Sequence, residues 1–190
     1  KWQVPQQPKK VLREKPTTAF QVYFVDFPGV QVDCLLLSVK EQNIPIEHRF
    51  VVDCFNNYFG MGLSSVVFQE IRESKAIAYS TYAQYAVATA PERRDFFQAF
   101  LGTQPDKLDF AMKSLDHLIH DYTLPATAIE EAITNHWKRL SSFRTPTAKI
   151  YWHYRNCKDL GLDKDIYEIY FRNSDKYDVP SIINFQQNHI

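Results

Sequence analysis

The sequence predicts an α+β fold: an antiparallel sheet of about four or more strands with helices packed on one side, followed by a helical C-terminal part. Three observations predict it. Apolar runs of strand length, rich in β-branched and aromatic residues, are confined to the first 101 residues. Two stretches of helical periodicity lie between these runs, and helical periodicity then fills the remainder of the chain.

The first two strands are predicted at Ala19–Val25 and Val30–Val39, with Pro28 and Gly29 as turn residues between them. The continuously apolar run Cys34–Leu37 indicates that the second of these strands is central in its sheet.

Two helices are predicted next. Apolar residues at helical spacing run from Ile46 to Phe59, and Gly60 ends the pattern. Ser64 or Ser65 then caps a second helix that continues to about Ser74, because a serine hydroxyl can accept a hydrogen bond from an otherwise unpaired amide.

Two further strands are predicted at Ile77–Thr89 and Phe96–Leu101, forming a hairpin, and helices follow. The predicted helices are Asp106–Tyr122, Ala126–Phe143, Thr147–Leu160, Asp165–Phe171 and Pro180–Asn188. Residues 1–18 contain three prolines with several Lys and Gln, so we expect an extended linker or arm there, and a single domain over residues 19–190.

The composition supports one substantial core and limits the classes of partner. Of the 190 residues, 45% are hydrophobic and 15% aromatic. Lys plus Arg and Asp plus Glu both number 22, so the chain lacks the basic excess typical of nucleic-acid-binding proteins. No apolar run approaches the roughly 20 residues that span a bilayer. We therefore expect peptides or neutral protein surfaces as partners, with no nucleic acid and no membrane span.

The motifs of a catalytic centre are absent from the sequence. None of the six histidines begins His-x-x-Glu-His or His-Glu-x-x-His, the helical patterns that bind catalytic zinc. His117 and His120 are three residues apart, but they lie on the flank of their helix in a row with Lys113, which favours a solvated polar face. The cysteines Cys34, Cys54 and Cys157 are far apart and odd in number, so we expect reduced, mostly buried thiols. The turn Gly60-Met61-Gly62 lacks the features of a phosphate-binding loop.

The segment from Gly60 to Ser80 resembles the Gly-rich turn and Arg-to-Tyr element in the C-terminal, metal-free half of the pitrilysin/insulinase-type zinc metallopeptidases, which include the mitochondrial processing peptidase. The residues that match in register are Gly60, Gly62, Ser64, Ser65, Phe68, Gln69, Glu70, Ile71, Arg72, Glu73, Ala78, Tyr79 and Ser80. Tyr79 follows Arg72 by seven residues, as in that family. Three positions depart: Met61 and Ala76 stand where glycine is usual, and Val66 where arginine is common.

The resemblance implies the non-catalytic, substrate-binding half of a zinc metalloendopeptidase, inactive alone. Arg72 and Tyr79 would support the transition state of a bound peptide substrate, while Gly60, Gly62, Ser64 and Ser65 would form a structural turn. No cofactor is expected in this chain. Zinc is expected in the partner, a catalytic half with a His-x-x-Glu-His motif in the same longer chain or a separate subunit. In that family a closing strand follows the last helix. This sequence ends at Ile190, after its last predicted helix, so we expect the closing strand to be missing here.

Two alternatives stay open at this point. A structural or interaction subunit of the same fold, with no peptidase role, fits the neutral charge, as does an independent peptide-binding module that uses an exposed sheet edge. Without the resemblance, Arg72 would be a cation favourable to the end of its helix, and Tyr79 a further strand aromatic.

Overall fold

The sheet has three strands in the computed structural model, which describes residues 13–26 and 28–190. These strands are β1 (Val32–Val39), β2 (Ser80–Ala86) and β3 (Phe96–Thr103), arranged in the order β1-β3-β2 with both pairs antiparallel. Leu101 of β3 pairs with Cys34 on one side and Thr81 on the other. The predicted α+β class and the predicted β2–β3 hairpin are confirmed.

The two faces of the sheet differ in burial. Tyr85, Phe97 and Leu101 point into the core and are at most 1% exposed. They lie on the same face of the sheet because alternate residues of a strand point to the same side. On the opposite face Leu35 and Leu37 are 57% and 49% exposed. The helices therefore cover one side of the sheet, as predicted.

Two predictions about the strands are wrong. Residues 19–25 contain no strand, so the described sheet has three strands instead of four or more. A strand requires a paired neighbour, and among the described residues no backbone hydrogen bond joins residues 19–25 to the sheet; the nearest such bond runs from Thr17 N, before this segment, to Val39 O at 2.9 Å. The central strand is β3 instead of β1, and the apolar run in β1 places Leu35 and Leu37 on the open face.

The helices begin and end within about two residues of the predicted bounds, the usual uncertainty at helix ends. The α-helices are α1 (Arg49–Phe55), α2 (Leu108–His120), α3 (Ala126–Ser142), α4 (Thr147–Asp159), α5 (Ile166–Arg172) and α6 (Val179–His189). Short 3-10 helices lie at Ile46–His48, Pro105–Lys107 and Ser174–Lys176. A π-helical turn, Asn56–Gly60, extends α1, and a separate π helix spans Phe68–Ser74. The π geometry was not predicted.

Aromatic side chains join α1 and α6 to the sheet. Phe185 of α6 packs edge-on against Phe55 of α1 and Tyr85 of β2, with ring centroids 5.2 and 5.1 Å apart. Phe50 of α1 stacks on Tyr177 at 4.4 Å. Offset and edge-on aromatic pairs stabilise a core beyond the area that they bury. The C-terminal helices thus belong to the same core as the sheet.

The predicted boundary at residue 18 stays a prediction, as does the missing final strand. Residues 1–12 of the predicted arm lie outside the described residues, and within the rest Glu14 pairs with Arg93 at 2.8 Å. Cys54 and Cys157 are buried and all three cysteines are free, as predicted. Within residues 13–26 and 28–190, no helix is long and apolar enough to span a membrane.

Candidate functional site

The turn after α1 requires glycine at two places. A Cβ atom at Gly60 would collide with the backbone carbonyl of Ala83 in β2, so this position lets the helix end approach the sheet closely. Gly62 has φ +92°, a conformation that side chains with a Cβ rarely adopt. Met61 between them has an ordinary extended backbone, which explains why a residue other than glycine is tolerated there.

Ser65 begins the helix that carries the candidate residues. Its side chain is fully buried, and its Oγ accepts a hydrogen bond from Phe68 N at 3.3 Å. The prediction that Ser64 or Ser65 caps this helix is therefore confirmed for Ser65, whereas Ser64 is exposed. Gln69 Nε2 donates to Leu63 O at 2.6 Å and ties the helix back to the turn. Val66 is buried in the core, so the position where the family commonly has arginine is not a surface position here.

Arg72 lies on the exposed side of the π helix. Its neighbour Ile71 is fully buried and fixes the orientation of the helix on the core. The Arg72 guanidinium lies 4.8 Å from the centroid of the Phe68 ring, and its Nε is 3.8 Å from Glu73 Oε1. Both contacts are at the surface, where such interactions contribute little. The Arg72 side chain can therefore be redirected toward a ligand at small energetic cost.

The connection from the helix to β2 is held by backbone contacts. Ala76 has φ +49°, the left-handed conformation common at helix C-termini, and Ile77 N donates to Ile71 O at 3.2 Å across it. This conformation favours glycine, the residue that is usual here in the family. Ile77 and Ala78 are buried, and the Thr103 hydroxyl donates to the Ile77 carbonyl.

Tyr79 stands directly before β2 and is 54% exposed. Its backbone N donates to Gly102 O at 2.8 Å, while its hydroxyl accepts a hydrogen bond from Gln104 Nε2 at 2.7 Å. The structure thus places Arg72 and Tyr79 at the two ends of one short, anchored connection, both exposed. No hydrogen bond joins them to each other within the described part of the chain.

The buried carboxylate Asp95 was not singled out from the sequence. It is fully buried, accepts hydrogen bonds from Ile44 N and Ala88 N at 2.7 Å each, and lies 3.4 Å from the Tyr85 hydroxyl. Its partners come from segments up to 51 residues away. Because every contact is to a protein donor, its role is structural.

A second group of charged and polar side chains surrounds α1 and α3 and was also missed. Burial raises the pKa of the Asp53 carboxyl to about 6, against the opposing effect of the Arg139 and Arg49 guanidinium groups. Burial, with a further contribution from Arg139, lowers the pKa of the His136 imidazole to about 4. No spacing rule connects these residues, because α1 and α3 meet only in the folded chain.

The described residues do not form a metal-binding cluster. They include no group of three or more His, Cys, Asp or Glu side chains that could hold a metal ion. His117 and His120 are exposed, and each lies near its own carboxylate, Asp121 at 3.2 Å and Asp116 at 3.1 Å. The predicted solvated face is confirmed, and this part of the chain does not fit a zinc ion.

The sequence profile of the peptidase M16 inactive domain matches residues 1–135. This chain belongs to that family. The match covers the turn, the π helix and all three strands, and the resemblance to the metal-free C-terminal domain of the insulinase-like metallopeptidases is confirmed. An uncharacterized zinc protease of Mycobacterium leprae is 43% identical over 49 residues, which are 26% of this chain and 11% of that protein.

Solved structures show the same fold. The peptidase M16 inactive domain from Pseudomonas fluorescens aligns with a TM-score of 0.66 and 18% identity, over 86% of this chain and 39% of that one. A protease from Helicobacter pylori aligns with a TM-score of 0.58 and 14% identity, over 81% of this chain and 37% of that one. The chain therefore spans well under half the length of these relatives. Its family, the M16 inactive domain, fits a non-catalytic half of a protease.

Proposed function

We propose that this M16 domain is the substrate-contacting half of a zinc metalloendopeptidase, closing over a peptide bound at a zinc site in another domain or subunit. The observation that carries the proposal is the exposure of Arg72 and Tyr79 on either side of a buried, hydrogen-bonded connection. Residues that contact a substrate require free side chains on a fixed backbone.

The chemistry of the two side chains suits the transition state of peptide hydrolysis. When bound in the catalytic half, zinc would activate the attacking water. The scissile carbonyl then becomes an oxyanion, which the Arg72 guanidinium and the Tyr79 hydroxyl can stabilise as hydrogen-bond donors. The Tyr79 hydroxyl proton is not used in the contact with Gln104, because there the amide of Gln104 donates.

The test is the kinetics of Arg72→Ala and Tyr79→Phe in the complete enzyme, with the catalytic half present. Loss of one oxyanion donor elsewhere lowers kcat by about 100-fold to 1000-fold. We expect a fall of about 100-fold in kcat for either variant with KM little changed, because the interaction forms only in the transition state.

The controls are Arg144→Ala and Tyr23→Phe, which remove the same groups at exposed positions outside the candidate site and outside α4. They should keep the turnover of the unmodified enzyme, and all four variants should keep its thermal midpoint. Unchanged kcat in both Arg72→Ala and Tyr79→Phe would refute the catalytic-support role.

One observation favours a structural or interaction subunit as a second candidate function. Helix α4 exposes Ile150, Tyr151, Trp152 and Tyr154, each by more than half. Exposed aromatic clusters are typical of protein interfaces. The two candidates differ in the partner: a catalytic half with His-x-x-Glu-His in the complete assembly supports the peptidase, and a complete assembly without one supports the scaffold.

A further inference from the structure

A polar cleft of about 430 Å³ lies between the turn that follows α1 and one face of α3. Its α3 wall is formed by residues three or four apart, which share a helix face. Ala128 and Ala132 leave open space along that wall, since neither side chain extends beyond Cβ. The other lining residues are Asn57, Tyr58, Met61 and Ser64 from the turn and Glu131, Asn135, His136 and Arg139 from α3.

Arg139 is the cation of this cleft, and neutral groups orient it. Its Nη2 donates to His136 Nδ1 at 2.8 Å, and its Nη1 lies 3.5 Å from Asn57 Oδ1. None of the ion pairs within 4.0 Å among the described residues involves this guanidinium, and Asp53 acts on it from a greater distance. A guanidinium has five N–H donors, so most of the donors of Arg139 stay available. Their fork geometry matches a carboxylate, which can bind in a bidentate manner.

The groups that orient Arg139 are themselves fixed. Asn57 Nδ2 donates to Asp53 O at 2.6 Å, which directs the amide oxygen of Asn57 toward the guanidinium. His136 is 4% exposed and stays neutral at physiological pH, because burial holds its pKa at about 4. Since its Nδ1 accepts from Arg139, the proton lies on Nε2, which has no hydrogen-bond partner among the described residues.

Glu131 and Arg139 give the two ends of the cleft opposite charges. Glu131 lies eight residues before Arg139 on the same helix, a separation of about 12 Å along the axis. The amide of Asn135 lies between the two charges and can both donate and accept hydrogen bonds. A ligand with an acidic group at one end and amide groups along its length is complementary to this arrangement.

We propose that this cleft binds a peptide through a carboxylate, with Arg139 as its anchor and with Asn57 and His136 as the residues that position Arg139. The proposal rests on the proposed function only in taking the ligand to be a peptide. The carboxylate comes from an acidic side chain or from a free C-terminus, two sources with the same chemistry. The site is separate in sequence from Arg72 and Tyr79.

Three probe peptides distinguish the sources in a titration followed by 1H-15N NMR: acetyl-Ala-Ala-Glu-Ala-Ala-amide, the same peptide with Gln for Glu, and acetyl-penta-alanine with a free carboxylate. We expect shifts at the amides of the cleft residues with at least one carboxylate peptide, and at least tenfold weaker binding of the Gln peptide. Arg139→Gln should weaken binding of the carboxylate peptide at least tenfold. Arg139→Lys, which keeps the charge without the fork geometry, should have an intermediate effect.

The matched control is Lys138→Gln, which removes the same charge from the residue of α3 that precedes Arg139 and lies outside the cleft. It should change the dissociation constant less than twofold. Equal weakening by Lys138→Gln and Arg139→Gln, equal affinity for the Glu, Gln and free-carboxylate peptides, or no shifts at the cleft would each overturn the proposal. Failure of the Arg72 and Tyr79 proposal appears in turnover instead, so the two outcomes are distinguishable.

Discussion

Replacing Asp53 by Asn should stabilise the protein at neutral pH, and the gain should disappear as the pH falls to 4. The Asp53 carboxyl has a folded-state pKa of about 6, raised by burial from 3.8. A raised carboxyl pKa means that the folded state binds the proton more tightly than the unfolded chain does. Asp53 is half-buried, and at pH 7 its partly desolvated charge therefore destabilises the fold; protonation relieves this as the pH falls through 6 toward 3.8.

The magnitude follows from the size of the shift. Each pKa unit corresponds to about 1.4 kcal/mol, so a shift from 3.8 to about 6 corresponds to about 3 kcal/mol. His136 acts in the opposite direction, because its folded-state pKa of about 4 lies below its ordinary 6.5. The contribution of neutral His136 to the free energy of unfolding is fully present above pH 6.5. About 3 kcal/mol of this stability is lost as the pH falls to 4. In the unmodified protein these two contributions nearly cancel between pH 6.5 and 4.

Asp53→Asn removes one side of this balance. We expect the variant to be more stable than the unmodified protein by up to about 3 kcal/mol at pH 7 and by close to zero at pH 4. The measurement is urea unfolding followed by circular dichroism at pH 7, 6, 5 and 4, with the slope of each curve checked for two-state behaviour.

Asp163→Asn is the matched control, because the Asp163 side chain is 97% exposed. Its difference from the unmodified protein should stay within about 0.5 kcal/mol at every pH. The reasoning fails if Asp53→Asn gives no stabilisation at pH 7, or if its stabilisation is the same at all four values.

Two further substitutions test the backbone around the candidate site. Ala76→Gly should stabilise the protein by about 1 kcal/mol and raise its Tm by about 2 to 4 °C, because glycine relieves the left-handed strain at φ +49°. Its control is Ala148→Gly in the exposed helix α4, which should lower Tm instead. Gly60→Ala should destabilise by about 1 to 3 kcal/mol through the clash with Ala83, whereas Gly29→Ala meets its nearest atom at 3.9 Å and should be close to neutral in thermal unfolding. A Tm decrease in Ala76→Gly, or equal stability in the two glycine variants, contradicts these readings.

The segment that carries the candidate site could be predicted because its signals are local. The turn glycines, the Ser65 cap and the spacing of Arg72 from Tyr79 all lie within about 20 consecutive residues, where side-chain chemistry determines backbone conformation directly. The helices were predictable for the same reason. Their apolar stripes are periodic, and prolines mark the breaks between them.

The features that could not be predicted depend on contacts between distant parts of the chain. Asn57 and Arg139 are 82 residues apart, and neither belongs to a recognisable motif. Residues 19–25 have the composition of a strand but no neighbouring edge in the described residues, so composition alone gave the wrong answer there. The π geometry of Phe68–Ser74 was missed because a helix of seven residues is too short for periodicity to separate a π helix from an α-helix.

The backbone between Arg72 and Tyr79 explains how the family's spacing can matter physically. Ile77 is buried, its N is bound to Ile71 O, and its carbonyl accepts from the Thr103 hydroxyl of the central strand. The separation of the two side-chain origins is therefore set by the core instead of by a mobile loop. An insertion in this connection would break these contacts without changing the Arg72 or Tyr79 side chain itself. For this reason a fixed number of residues, together with a left-handed residue at Ala76, holds the backbone of Arg72 and that of Tyr79 at a set separation.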